Sequence, residues 1–169
     1  MTMSYKPIQD LVNEISTAYD VGATVAALSM VYIGIDTFAW LSLPLERDRQ
    51  TRNDFYEWVD TYLKTEDEQP YQYVGKDLYA ARCAVLHTFA TLADLHKKVP
   101  APKKFGYVDN GPHQHDGGDL VLISVAVLIR DFGSATQRFL QAIQADASLK
   151  KRVESRLDQL LNATPIQRS

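Results

Sequence analysis

Apolar residues along this chain recur mostly three and four apart, the spacing of a helix with one face turned to a core. Ile8, Leu11, Val12, Ile15 and Tyr19 share such a face, which predicts a first helix from about Pro7 to Tyr19. Its proline stands at the start, where a missing N–H costs least. Gly22 breaks it, and a nearly continuous apolar run follows from Ala23 to Leu45, interrupted by one charge, Asp36. In "TRNDFYEWVDTYL", Phe55, Trp58, Val59, Tyr62 and Leu63 form the clearest amphipathic face, with Thr51, Asn53 or Asp54 available to cap its start. The polar "KTEDEQPYQYVG" reads as a loop, and Asp77, just after Gly75, is a plausible cap for a fourth helix running to about Phe89.

The prolines of "HKKVPAPKK" exclude a regular helix there. "FGYV" and "LVLIS" read as two short strands of a hairpin, joined by the turn-rich loop "DNGPHQHDGGD". A long fifth helix begins near Val125 with Leu128, Phe132, Ala135, Phe139 and Ile143 spaced for burial; a last one uses Leu149, Val153, Leu157, Leu160 and Leu161. The expected fold is mainly α: a bundle of about six helices with a small β-hairpin between the fourth and fifth, in a single domain over 1–169.

Composition narrows this little. At 169 residues, 46% hydrophobic and 23% charged, the chain can bury a core without staples. A net charge of −3 argues against a surface that coats nucleic acid everywhere, and leaves room for a local basic site. Cys83 is the single cysteine, which excludes an internal disulfide and fits a reducing compartment. Lys6, Asp10, Glu14 and Asp20 interrupt the first twenty residues, so no signal peptide is expected and the location is read as cytoplasmic. Ala23–Leu45 is long enough to span a bilayer. A central aspartate costs roughly 2.5–3.5 kcal/mol on the insertion scale, and Pro44 ends the helix early, so a buried bundle helix without a membrane is expected.

The chemistry-bearing stretch is "DLYAARCAVLHTF", Asp77 to Phe89, an apolar helix carrying Arg82 and His87. The plainer reading pairs Arg82 with Asp36, because two lone charges on two apolar helices are best explained together. The sharper reading makes Arg82 and His87 a reactive pair for RNA cleavage. An imidazole exchanges a proton near neutral pH, and a guanidinium holds phosphate oxygens. Five residues on a helix separate two side chains by roughly 140°, which argues that one phosphate is reached only across a twofold seam, hence in a homodimer.

"RCAVLH", Arg82 to His87, resembles the signature of the HEPN domains, helical bundles in which an arginine precedes a histidine by four to six intervening residues. The resemblance covers about residues 1–95, leaving the hairpin and C-terminal helices, about 105–162, as additions. It implies a metal-independent endoribonuclease or RNA-binding protein of a toxin or defence type, with Arg82 and His87 catalytic at a composite dimer site, no cofactor, and a cognate antitoxin as a partner. Two positions depart from the family: Cys83 follows the arginine where a polar residue is common, and Phe89 stands where one toxin branch has a modified tyrosine. The corresponding regulation is therefore not implied. Asp36 and Tyr79 are the candidate supporting residues.

Other candidates are weaker. Lys97, Lys98, Lys103 and Lys104, with Arg130 and Arg138 on the fifth helix, form a local basic excess that could attract RNA. Tyr71, Tyr73 and Tyr79 could stack a base. His113, His115, Asp116 and Asp119 are metal-ligand types in a glycine-rich loop, where a solvated turn is the commoner outcome and a metal-dependent enzyme is the third reading. The alternative from another class is a non-catalytic interaction module with Arg82 and Asp36 as a structural ion pair.

Overall fold

The structure, a computed structural model, describes residues 5–64, 73–88, 94–97, 100–109, 111–115 and 118–160. Six α-helices and a small sheet make up these residues, so the fold is mainly α: α1 (Lys6–Asp20), α2 (Thr24–Leu41), α3 (Arg52–Trp58), α4 (Gly75–Thr88), β1 (Lys104–Val108), β2 (Gln114–His115), β3 (Leu120–Ser124), α5 (Val125–Ala145) and α6 (Ala147–Leu157). One π-helical turn, Val59–Leu63, continues α3, and a 3₁₀ turn, Asp94–Lys97, precedes the sheet.

Each boundary has a local cause. Gly22, at φ 81°, reverses the chain between α1 and α2, a conformation that costs a glycine little. At the start of α3 the Asp54 carboxylate accepts from both the backbone N–H and the hydroxyl of Thr51, each at 2.7 Å, so the predicted cap is formed by this reciprocal pair. Asp146 alone links α5 to α6, and its carboxylate accepts from Ser148 and Leu149 N–H groups at 2.8 and 3.1 Å. Asp77 was expected before α4 but lies within its first turn, because the helix already begins at Gly75. There it reaches back to the Val74 N–H at 3.0 Å and out to the Lys103 N–H at 2.8 Å.

The core is centred on α2, α3 and α5. Phe38 of α2 stacks on Phe132 and Phe139 of α5, at centroid distances of 5.4 and 5.5 Å, and Trp58 closes the cluster. Gly34 exists for this contact: a Cβ there would lie 2.4 Å from Phe132 Cζ. Every predicted burial position on α5, Leu128, Phe132, Ala135, Phe139 and Ile143, is fully covered. The helix α2 is long and apolar enough to cross a membrane, yet half of it is buried inside the fold.

Two details differ from the sequence pattern. The third helix shifts into a π turn at Val59, which widens the ladder; Arg138 of α5 donates from Nε to the Tyr62 carbonyl at 2.9 Å. The predicted hairpin of "FGYV" and "LVLIS" is instead a parallel pair, β1 with β3, in which Lys104 opposes Leu120 and Val108 opposes Ser124. The intervening loop crosses back to lay β2 antiparallel on the other edge of β3, giving the order β1-β3-β2. The sheet docks on the helices through Tyr32 and Tyr107, whose hydroxyls meet at 2.7 Å, and through Tyr19, which donates to the Asp109 carbonyl at 2.9 Å.

Candidate functional site

Arg82, on the middle of α4, faces Asp36 on α2. Both Nε and Nη2 of the guanidinium converge on Asp36 Oδ2, at 2.7 and 2.6 Å. The other carboxylate oxygen accepts from Gln50 at 3.5 Å, which ties in the loop before α3. The pair is not sealed: the two side chains keep 20% and 22% of their surface exposed.

With Nε and Nη2 spent on the carboxylate, Nη1 is left pointing along α4. It lies 3.3 Å from His87 Nε2 and 4.0 Å from Cys83 Sγ. A guanidinium only donates, so His87 Nε2 is the acceptor and the ring carries its proton on Nδ1. His87 itself is exposed, at the solvent end of the cluster. The 140° between the two positions describes where Cβ atoms point; the long arginine side chain covers that arc. One chain thus brings the two groups to 3.3 Å, although their positions lie roughly 140° apart around the helix.

Tyr79, one turn earlier on α4, forms the floor, with the Arg82 guanidinium 5.8 Å from its ring centroid. Phe55 and Tyr56 of α3 contact the same ring edge-on, at 5.3 and 5.6 Å. Burial raises the Tyr79 hydroxyl above the usual phenol range, and neighbouring Cys83 adds to this, so Tyr79 is a neutral phenol. Burial likewise raises the Asp36 carboxyl, against the opposing pull of Arg82. For Arg82, burial pulls downward but attraction to Asp36 prevails, and the guanidinium is held more firmly charged than usual.

The sequence therefore places four of its candidates, Arg82, His87, Asp36 and Tyr79, in one open cluster. It missed two members. Cys83 is signalled by its spacing of four from His87, which puts both on one helix face; Gln50 lies in an irregular loop and carries no such signal.

The basic candidates are dispersed. Lys97 is exposed and pairs with Asp94 at 2.7 Å, Lys104 is exposed at the start of β1, and Lys103 is anchored by its backbone to Asp77. Lys98 and Tyr71 lie outside the described residues. Arg138 is spent on the π turn, and Tyr73, at 2% exposure, is buried too deeply to stack a base.

The histidine loop does not form a metal centre among the described residues, where no three ligand side chains come together. His113 is turned inward: its side chain is 3% exposed, Nδ1 accepts from the Ser124 N–H at 3.1 Å, and Nε2 lies 3.7 Å from buried Asp131. A nitrogen used as an acceptor for the backbone is withdrawn from metal binding. The side chain of His115 and all of Asp116 lie outside the described residues.

A cavity of about 380 Å³ lies apart from this cluster between α2, α3 and α6. Asp54, Glu57 and Asp146 line it against two arginines, Arg47, committed to Asp54 at 2.7 Å, and Arg152, which donates to the Ser148 hydroxyl at 3.0 Å, so carboxylates outnumber cations in it. No family model, no curated protein and no solved structure matches the chain.

Proposed function

We propose that this HEPN-like bundle binds and cleaves RNA without a metal ion, with His87 moving the proton and Arg82 holding the phosphate. The observation that carries the reading is the 3.3 Å approach of Arg82 Nη1 to an exposed His87 Nε2, on a guanidinium fixed from behind by Asp36. The imidazole nitrogen that accepts from Arg82 would take the ribose 2′-hydroxyl proton once the phosphate draws Arg82 Nη1 away from it. The 2′-oxygen then attacks phosphorus and the 5′-oxygen leaves, giving a 2′,3′-cyclic phosphate and a 5′-hydroxyl end. Arg82 Nη1, left over from the Asp36 contact, would donate to the oxygens on which charge accumulates. Asp36 is a positioning residue, and Tyr79 supports the guanidinium from below.

The leaving oxygen needs a proton as the 2′-hydroxyl loses one. A homodimer would supply the second imidazole, and this reading keeps the composite dimer for that chemical reason. A cognate antitoxin would act by covering the same opening. The competing reading is an interaction module in which the Arg82–Asp36 pair, at 2.6 Å, serves only the fold.

The test is incubation of the protein with single-stranded RNA in excess chelator, with product ends identified by mass. Cyclic-phosphate ends that vanish with Arg82→Gln support the nuclease. An absence of cleavage at all protein concentrations, with a stable fold, leaves the interaction module. A strict monomer at micromolar concentration that still cleaves removes the dimer from the account.

A further inference from the structure

Next to the Arg82 cluster is a second cleft, about 260 Å³, between the start of α3, the start of α4 and the loop leading to β1. Arg52, Asn53, Tyr56 and Lys76 line it with Leu95 and Pro102, and no carboxylate is among its described lining residues. Its volume falls just below the roughly 300–1,000 Å³ of sites for drug-sized ligands, which suits one ring and its phosphate. Here we infer a nucleotide subsite, which takes a base and phosphate of the same single-stranded RNA whose cleavage is assigned above to Arg82 and His87. The inference rests on that reading for its substrate.

Three features support it. The cations are available: Arg52 is exposed and makes no ion pair among the described residues, while Lys76 gives one of its three hydrogens to the Pro100 carbonyl at 2.9 Å. The wall is built, since that contact and the Asp77–Lys103 bond at 2.8 Å clamp the basic loop against α4. His96 adds a third tie, to the Lys103 carbonyl at 3.1 Å. Finally, the cleft shares a wall with the cluster: Tyr56 meets Tyr79 at 5.6 Å, and Tyr79 underlies Arg82 at 5.8 Å. Lys76 and Arg82 are separated by roughly 9 Å along the helix axis and roughly 120° around it, so a strand joining them would wrap part of the way round α4. Tyr56, half-buried, offers an edge or face for a base, which is sequence-tolerant recognition. Asn53 adds an amide able to pair with a base edge.

The experiment measures binding of a fluorescein-labelled decauridylate by anisotropy, across a salt series, to full-length His87→Ala protein. The same protein is compared after adding Arg52→Ala with Lys76→Ala, Arg52→Glu alone, or Tyr56→Leu, with Lys151→Ala, an exposed position on α6, as a control. The pair of cation removals should weaken binding ten-fold or more and lower the salt slope by about 1.4, the value for two phosphates on a single strand. Tyr56→Leu should weaken it about five-fold or more. Arg52→Glu changes an exposed side chain only and keeps the test valid should the Lys76 tie prove necessary for folding.

Unchanged affinity and slope in Arg52→Glu and the double variant, while the wild type cleaves RNA, overturn the subsite and leave the nuclease. Cleft-dependent binding with no cleavage by the wild type overturns the nuclease and leaves the subsite. No binding at millimolar protein overturns the subsite outright.

Discussion

The Asp36–Arg82 pair lends itself to a double-mutant cycle, because its worth follows from its geometry. Two nitrogens approach one oxygen at 2.6–2.7 Å, and both side chains are about one-fifth exposed. Unit charges about 4 Å apart at an effective dielectric of 20 attract by about 4 kcal/mol. Desolvation takes much of that back, and the exposed fifth lets water screen the remainder. The expected coupling is about 1–2 kcal/mol. Asp36→Asn, Arg82→Gln and the double variant, unfolded in urea at pH 7 and low salt, should each give a single transition. At about 2 kcal/mol per molar, the coupling corresponds to roughly 0.5–1 M in midpoint. A coupling below about 0.3 kcal/mol would refute the reasoning, since the charges would then be acting as separate surface groups. RNA cleavage should fall in Asp36→Asn further than stability explains, because the guanidinium loses its rear anchor.

Further expectations concern the frame around the site. Gly34→Ala drives a methyl to within 2.4 Å of Phe132, a ring already wedged against Phe38, and should cost about 1–3 kcal/mol, read as a fall in Tm; a neutral outcome would mean the helices are not this close. Arg156 donates to the carbonyls of Leu43, Pro44 and Arg47 at 2.8–2.9 Å, so Arg156→Met should lose about 2–3 kcal/mol and free the loop in hydrogen exchange. Burial pushes Asp54 up, but Arg47 and Thr51 outweigh it and bring its carboxyl down to about 2. A lowered carboxylate stabilises above its ordinary value of about 4, and that contribution fades as pH falls through about 2. After screening at the part-exposed Arg47 it amounts to about 1 kcal/mol, so Asp54→Asn should be less stable than the parent at pH 7, with the difference shrinking to a small remainder as the pH is lowered to about 2. Equal differences at both pH values in urea would contradict the assignment.

Where the sequence was legible, one physical period decided the matter. The α5 positions from Leu128 to Ile143 repeat every three or four residues, and all of them are buried. The same pattern could not disclose the π turn at Val59, since a single widened turn leaves Tyr62 and Leu63 on nearly the same face. Strand pairing departs from the pattern because a short, turn-rich connection usually makes a hairpin. Here that connection holds a strand of its own, β2, which lets β1 and β3 run parallel. His113 looked solvated among glycines, but its ring satisfies the Ser124 N–H beneath the sheet, a long-range contact that local composition does not encode. At the site, the ion pair followed from the cost of isolated charges, whereas the His87 contact depends on side-chain length that an angular argument ignores.

The central claim is that His87 is chemistry rather than packing. His87→Ala removes an exposed ring and should leave Tm within a degree or two while RNA cleavage in chelator falls at least a hundred-fold. Cleavage that persists in a folded His87→Ala protein would contradict the account, and so would a collapse of Tm on removing that ring.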